Sequence, residues 1–423
     1  MTMRRMLFRQ CFAVALAWAL ASSGPIAGQL GGTAAQVNTT TLGDQIQAEV
    51  AIAADGTTLV VWESGFTVRG RLFDPIGQPM AADFEIAAEG LDPAVAAEPY
   101  GGFIVVWVDA SSIWARRLGS GGALVGEAFL VSPTENSSAD PRVAVAPTGD
   151  VLVSWDSLEV DGGPTGGSTG RIHVRHFDAA GVASAATLVD EVTCVDLACD
   201  TVDNGGVVSG ANGEFVIAWE RNLWYLTPLS EDILVSRFAS DGAPVGTELV
   251  VRTDAVNYHD APSIAYADDH YLVVWDSDDP MADGAGRGVR GRLLDGDGDP
   301  VGAELQINTS TLGDQRLAVA SAYPSLDSSF LVVWQDEGSV PTTVRGQAVG
   351  LSGLVGTEIA LTTIPPGEES RPAADHGTVV WESQGSTGDD AEGSSVQGRV
   401  LARPFVFADG FESGDLSAWS GAS

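Results

Sequence analysis

One short phrase recurs through the chain and limits what it can become. Leu59-Val60-Val61-Trp62-Glu63-Ser64 is an apolar, β-branched run that ends in tryptophan and then turns polar. Related runs end at Trp107, Trp155, Trp219, Trp275, Trp334 and Trp381. A second phrase, Asn38-Thr39-Thr40-Thr41-Leu42-Gly43-Asp44-Gln45, returns as Asn308-Thr309-Ser310-Thr311-Leu312-Gly313-Asp314-Gln315 with five of the tryptophan runs between the copies. The mean period is about 54 residues, a length that means propeller blades, solenoids or domain arrays.

Each repeat has the same internal order. A small-residue segment comes first, as in Asp92-Pro93-Ala94-Val95-Ala96 or Ala261-Pro262-Ser263-Ile264-Ala265. A tight Asp/Asn/Gly turn of hairpin type follows, for example Asp55-Gly56 or Asn212-Gly213. The tryptophan run is apolar at consecutive positions, as a strand buried on both faces must be. An alternating segment such as Val68-Arg69-Gly70-Arg71-Leu72-Phe73 comes next, then a Gly/Pro turn and a last strand such as Gly302-Ala303-Glu304-Leu305-Gln306-Ile307. Four short antiparallel strands repeated seven times predict an all-β fold, a seven-bladed β-propeller of four-stranded blades over residues 36–403. The small first strand suits the crowded axis, and the Val-Val-Trp strand suits the space between blades. A row of separate sandwiches fails, because so small a unit cannot bury both faces of its sheet alone.

The ends fit a closed ring. The seventh repeat has its tryptophan strand and a third strand at Val396-Gln397-Gly398-Arg399-Val400, but no fourth. Gln36-Val37-Asn38 matches the end of a fourth strand, Gln306-Ile307-Asn308. The N-terminal strand is therefore expected to complete the last blade and remove an open edge.

Arg4, Arg5 and Arg9 precede an apolar run from Cys11 to Ala21, the order of a secretory signal peptide over residues 1–28, with cleavage after Ala21 or near Gly28. The run is about half the roughly 20 residues that a membrane span requires. The formal charge of −36 makes nucleic acid and anionic membranes poor partners. All basic residues are arginine, which reads as a GC-rich bacterial genome. After loss of the leader, Cys194 and Cys199 remain; in an oxidising compartment they are expected to form a local disulfide, since no further ligands complete a zinc site.

The pattern resembles the Val-Val-Trp repeats of large secreted or surface bacterial proteins. Residues 404–423, with Asp409-Gly410-Phe411-Glu412-Ser413-Gly414-Asp415, resemble a short C-terminal tail of secreted bacterial proteins, which implies either a sorting signal or a peripheral end. The resemblance concerns architecture and leaves activity open.

Loops between second and third strands, and between blades, share one face and include the long irregular segments, where propellers place ligand sites. On that face Trp224, Tyr225, Tyr258 and His259 form a candidate carbohydrate-stacking patch. Asp295, Asp297 and Asp299 alternate as calcium ligands can, although Asp and Gly also suit an ordinary turn there. No Ser/His/Asp set or catalytic metal spacing emerges, and carboxylates are too numerous for a glycosidase pair to be chosen from sequence. The expectation is a secreted binding, adhesion or structural module rather than an enzyme, with a glycan or surface protein as partner and its oligomeric state open. The alternative is a carbohydrate-active hydrolase or lyase, and a deep carboxylate-lined pocket on the long-loop face would distinguish it.

Overall fold

The computed structural model describes residues 34–132, 137–160, 167–193, 201–223, 230–253, 258–278, 286–323, 329–362, 368–384 and 393–401. Among them there is no helix, and therefore none long and apolar enough to cross a membrane. The strands form seven four-stranded antiparallel sheets, six of them with their strands in chain order from the axis outward. In blade 1 these are Gln45–Ile52, Thr58–Ser64, Thr67–Phe73 and Phe84–Ala87. The inner strands of blades 2 to 7 are Leu91–Ala97, Ser137–Val145, Thr201–Ser209, His259–Ala267, Gln315–Ala322 and Glu369–Asp375. The fold is the expected seven-bladed propeller.

Ring closure also follows the expectation. Blade 7 supplies Glu369–Asp375, Thr378–Gln384 and Ser394–Val400, and its outermost strand is Ala35–Gln36. Ala35 pairs with Gly398 and Gln36 with Gln397, and the Val37 amide then donates to Val396 at 2.8 Å.

The second strands carry apolar residues at successive positions up to the tryptophan because they serve two seams at once. Leu59 and Val61 pack against Phe103, Val105 and Trp107 of blade 2, whereas Val60 and Trp62 pack against Val380 and Val396 of blade 7. Each of the seven tryptophans enters the seam with the preceding blade, and none is more than 3% exposed. Burying so large a ring is worth several times the roughly 2 kcal/mol of an average aliphatic side chain only if the seam packs without voids. Glycine in the third strand keeps that packing close. A Cβ on Gly70 would stand 2.9 Å from Ile86 Cδ1.

Arginines of the third strands tie neighbouring blades by their backbones. Arg71, Arg175, Arg292 and Arg399 each direct Nη1 to a carbonyl just past the preceding blade's outer strand, at Val37, Val131, Val251 and Leu361, over 2.7 to 2.9 Å. The duplicated Asn-Thr phrase forms two matching connectors. Asn38 Nδ2 donates to Thr40 O and Gln45 Oε1, and Asn308 Nδ2 to Ser310 O and Gln315 Oε1, all at 2.8 Å. An acid from the following blade caps each connector. Asp83 accepts the Thr39 and Thr40 amides and pairs with Arg69, while Glu358 accepts the Thr309 and Ser310 amides and pairs with Arg345. Burial opposes ionisation of Asp83, but Arg69 and the two amides outweigh it and hold the carboxyl at about 2.

Candidate functional site

A cavity of about 640 Å³ runs along the axis, lined by the seven inner strands. Its long-loop end is shaped by a feature repeated around the ring. Near the start of each inner strand the ladder register breaks in a β-bulge. In six blades the bulged residue has positive φ without being glycine: Gln47, Asp92, Asp140, Ala261, Leu317 and Arg371, with φ from 44° to 56°. Proline follows at 93, 141, 262 and 372, tolerated because a bulge leaves its missing N–H without a ladder partner. A side chain held at positive φ costs about 1–2 kcal/mol relative to an ordinary conformation, a cost glycine would avoid. The remaining blade, blade 4, has Asn204 at the corresponding position, paired with Trp219 immediately before the bulge.

The residue after each tryptophan reaches across the seam to this bulge. Glu63 accepts the Asp92 amide at 3.3 Å, Glu220 the Ala261 amide at 2.9 Å, Asp276 the Leu317 amide at 2.8 Å, Gln335 the Arg371 amide at 3.3 Å and Glu382 the Gln47 amide at 2.7 Å. Five seams are latched in this way. Burial, reinforced by nearby acids, pushes Glu220 and Asp276 up to about 8 despite these amide bonds.

The two remaining seams border blade 3. Blade 2 has Val108 after its tryptophan, so no side-chain acceptor is offered to Asp140. Blade 3 has the carboxylate, Asp156, but its buried Oδ1 has no hydrogen-bond partner among the described residues. Asn204, 7% exposed and part of the channel lining, donates from Nδ2 to Asp140 O at 2.8 Å and leaves Oδ1 without a partner. The polar groups released from latching gather at one sector of the mouth.

Arg142 stands among them. Its Nη1 donates to Pro141 O at 2.9 Å, and it closes no ion pair with a described residue. Glu49, Asp92, Asp140 and Asp156 nevertheless surround it closely enough to raise its pKa against the effect of burial. The Asp92 carboxyl stands beside that of Asp140; burial, with this neighbour, lifts Asp92 to about 7 against the pull of Arg142. Burial and the charges of Asp140 and Asp203 lift Asp156 to about 7, and burial raises Glu49 as well. This sector of the mouth thus sets several carboxyl groups around the Arg142 guanidinium, while Arg371 lines the channel at blade 7.

The sequence-based candidates lie elsewhere. Trp224 and Tyr225 fall outside the described residues, as do Cys194, Cys199, the leader and the tail. His259 is 1% exposed, packs edge-on against Trp275 at 6.4 Å and receives Glu231 at its backbone amide, whereas Tyr258 is half-buried and its amide bonds Asp278. Asp295 Oδ1 accepts the amides of Asp297 and Asp299 at 3.0 and 2.9 Å. Asp74 and Asp178 do the same in blades 1 and 3, so this is the ordinary turn chemistry of the repeat. Among the described residues no three His, Cys, Asp or Glu side chains come close enough to hold a metal ion. Asp92, Asp140 and Asp156 were not singled out from sequence, although an acid before proline at the start of an inner strand, and an acid just after a repeat tryptophan, are both visible there.

These features define a closed seven-bladed propeller with an acid-rich channel mouth. No family model matches the sequence, and no curated protein does. Solved structures do match the fold. One is a protein of unknown function from Dyadobacter fermentans, with TM-score 0.52 and 12% identity over 89% of this chain and 100% of that one. Another is the polysaccharide lyase Uly1, with TM-score 0.50 and 9% identity over 92% and 96%. At these identities the likeness is one of fold.

Proposed function

We propose that the protein is a carbohydrate-active propeller working outside the cytoplasm, with its site at the long-loop mouth beside blade 3 and with hydrolysis of a glycosidic bond as the reaction. The observation that carries this reading is the adjacent pair Asp92 and Asp140 on the wall of the axial cavity, with Asp156, released from latching, buried next to them. A carboxyl with a pKa near 7 is suited to general-acid catalysis at neutral pH. Asp156 would protonate the glycosidic oxygen as its bond to the anomeric carbon breaks. The ionised member of the Asp92–Asp140 pair would take the proton of the attacking water, so proton and electron pair are both accounted for.

A deep carboxylate-lined cavity also fits the carbohydrate-active alternative better than a shallow binding rim, and the fold is shared with a polysaccharide lyase. Elimination from a uronate polymer suits this mouth less well. Its acids oppose an anionic chain, and the channel's own Tyr266 and His376 stand at the opposite, short-turn end. The test is product release from a panel of neutral, acidic and basic polysaccharides, read both as reducing ends and as unsaturated sugar. Reducing ends that vanish in Asp156→Asn support the proposal. Binding without any product, unchanged in Asp156→Asn, would return the protein to a binding module.

A further inference from the structure

Six of the bulge positions share a positive-φ backbone, Asn204 takes the corresponding place in blade 4, and the seven are unlike in chemistry. Blades 2 to 4 present Asp92, Asp140 and Asn204, and blades 5 and 6 present Ala261 and Leu317. The backbone requires only a residue that tolerates positive φ, so the side chains are available for a ligand. From the sector formed by blades 2 to 4, we infer that the mouth recognises a basic glycan, one whose sugars carry free amines. This inference rests on the carbohydrate reading above and names its substrate class.

Two independent observations point the same way. The first is charge capacity: four carboxyl groups, of Glu49, Asp92, Asp140 and Asp156, surround one guanidinium, Arg142, so the sector can ionise further to balance a bound cation. The second is hydrogen-bond capacity. Asn204 is more than nine-tenths buried, lines the channel and is held in place by its bond to Asp140 O, yet its Oδ1 accepts nothing from the described residues. Asp156 Oδ1, behind the channel wall, also has no partner among the described residues. Buried acceptors without donors are costly, and a ligand that brings donors relieves that cost. A sugar ammonium supplies three N–H donors together with the charge the acids lack. Burial, with the neighbouring acids, raises the pKa values of Asp92 and Asp156, and a bound ammonium would lower them and release protons.

Calorimetry on the full chain at about pH 6, where a sugar amine is protonated, tests the inference with three trisaccharides: the glucosamine trimer, its N-acetylated counterpart and cellotriose. The glucosamine trimer should bind about tenfold or more tighter than the other two, weaken with added salt and release protons, read from the dependence of the heat on buffer. Asp140→Asn, which keeps the shape of the side chain, should remove most of that preference. Arg142→Gln should act in the opposite sense and strengthen amine binding, an outcome that a purely structural role or partial misfolding does not produce. If the N-acetylated trimer or cellotriose binds as tightly as the amine, the inference fails and the carbohydrate reading stands. If none of the three binds, and no polysaccharide in the panel above is bound or cleaved, both fail.

Discussion

The seam between blades 5 and 6 and the seam between blades 2 and 3 are built from the same repeat and end differently. At the first, Asp276 is 2% exposed and accepts the Leu317 amide, with Ala318 at 3.4 Å. At the second, Val108 replaces the acid, and the bulged residue, Asp140, turns its carboxyl to Asp92 instead. The same backbone can therefore use a carboxylate as a clamp between blades or present it to the channel. Which it does depends on whether the residue after the tryptophan can reach the next bulge. The mouth acquires its chemistry at the seams that give up the clamp.

This contrast can be broken by mutation. Asp276→Ala should cost about 3 kcal/mol in chemical denaturation, because it leaves a buried amide of the bulge without an acceptor. An unchanged midpoint would deny the latch its structural role. Acidity gives the second test. Asp92, Asp156, Glu220 and Asp276 have folded pKa values of about 7 to 8, above the ordinary 3.8 or 4.5, so the folded chain retains protons that the unfolded chain releases. Their contribution to stability is complete below about pH 4 and is lost as the pH rises through 7 to 8. Asp83, held at about 2, acts in the opposite sense and loses its contribution only in stronger acid. Thermal unfolding should therefore show a higher Tm at pH 5 than at pH 8.5, and a Tm that rises over that interval would contradict the assignment.

Two smaller effects sharpen the comparison. Val108→Glu restores the missing carboxylate within reach of the Asp140 amide and should stabilise the ring by about 1 kcal/mol while weakening function at the mouth. Asp156→Asn should leave stability within about 0.5 kcal/mol, because that carboxylate holds no seam together, and should abolish product release. A large stability loss in Asp156→Asn would place blade 3 among the latched blades after all.

The sequence made the scaffold legible because each of its demands leaves a local mark. Apolar residues at successive positions before tryptophan mean two buried faces, and Gln36-Val37-Asn38 could be matched to the missing strand by its likeness to Gln306-Ile307-Asn308. The functional mouth was harder to read. Asp276 and Asp156 occupy the same place in the repeat, after Trp275 and Trp155, and only the reach across a seam shows that one is engaged and the other spare. His259 shows the converse difficulty. It looks like a loop residue beside Tyr258, but its pairing with Ser277 makes it the first residue of an inner strand, where Trp275 covers it.

The two-residue strand Ala35–Gln36 also sets an order of events in folding. Its partner, Ser394–Val400, is made some 360 residues later, so the first described strand waits for the last. Blades can form one after another from local hairpins, each covering the one before it. Until the final hairpin arrives, however, the growing arc carries an exposed seam at each end. A chain shortened by its seventh blade would leave Trp62 facing solvent at one of those ends, and its failure would be aggregation of an arc rather than loss of a single blade.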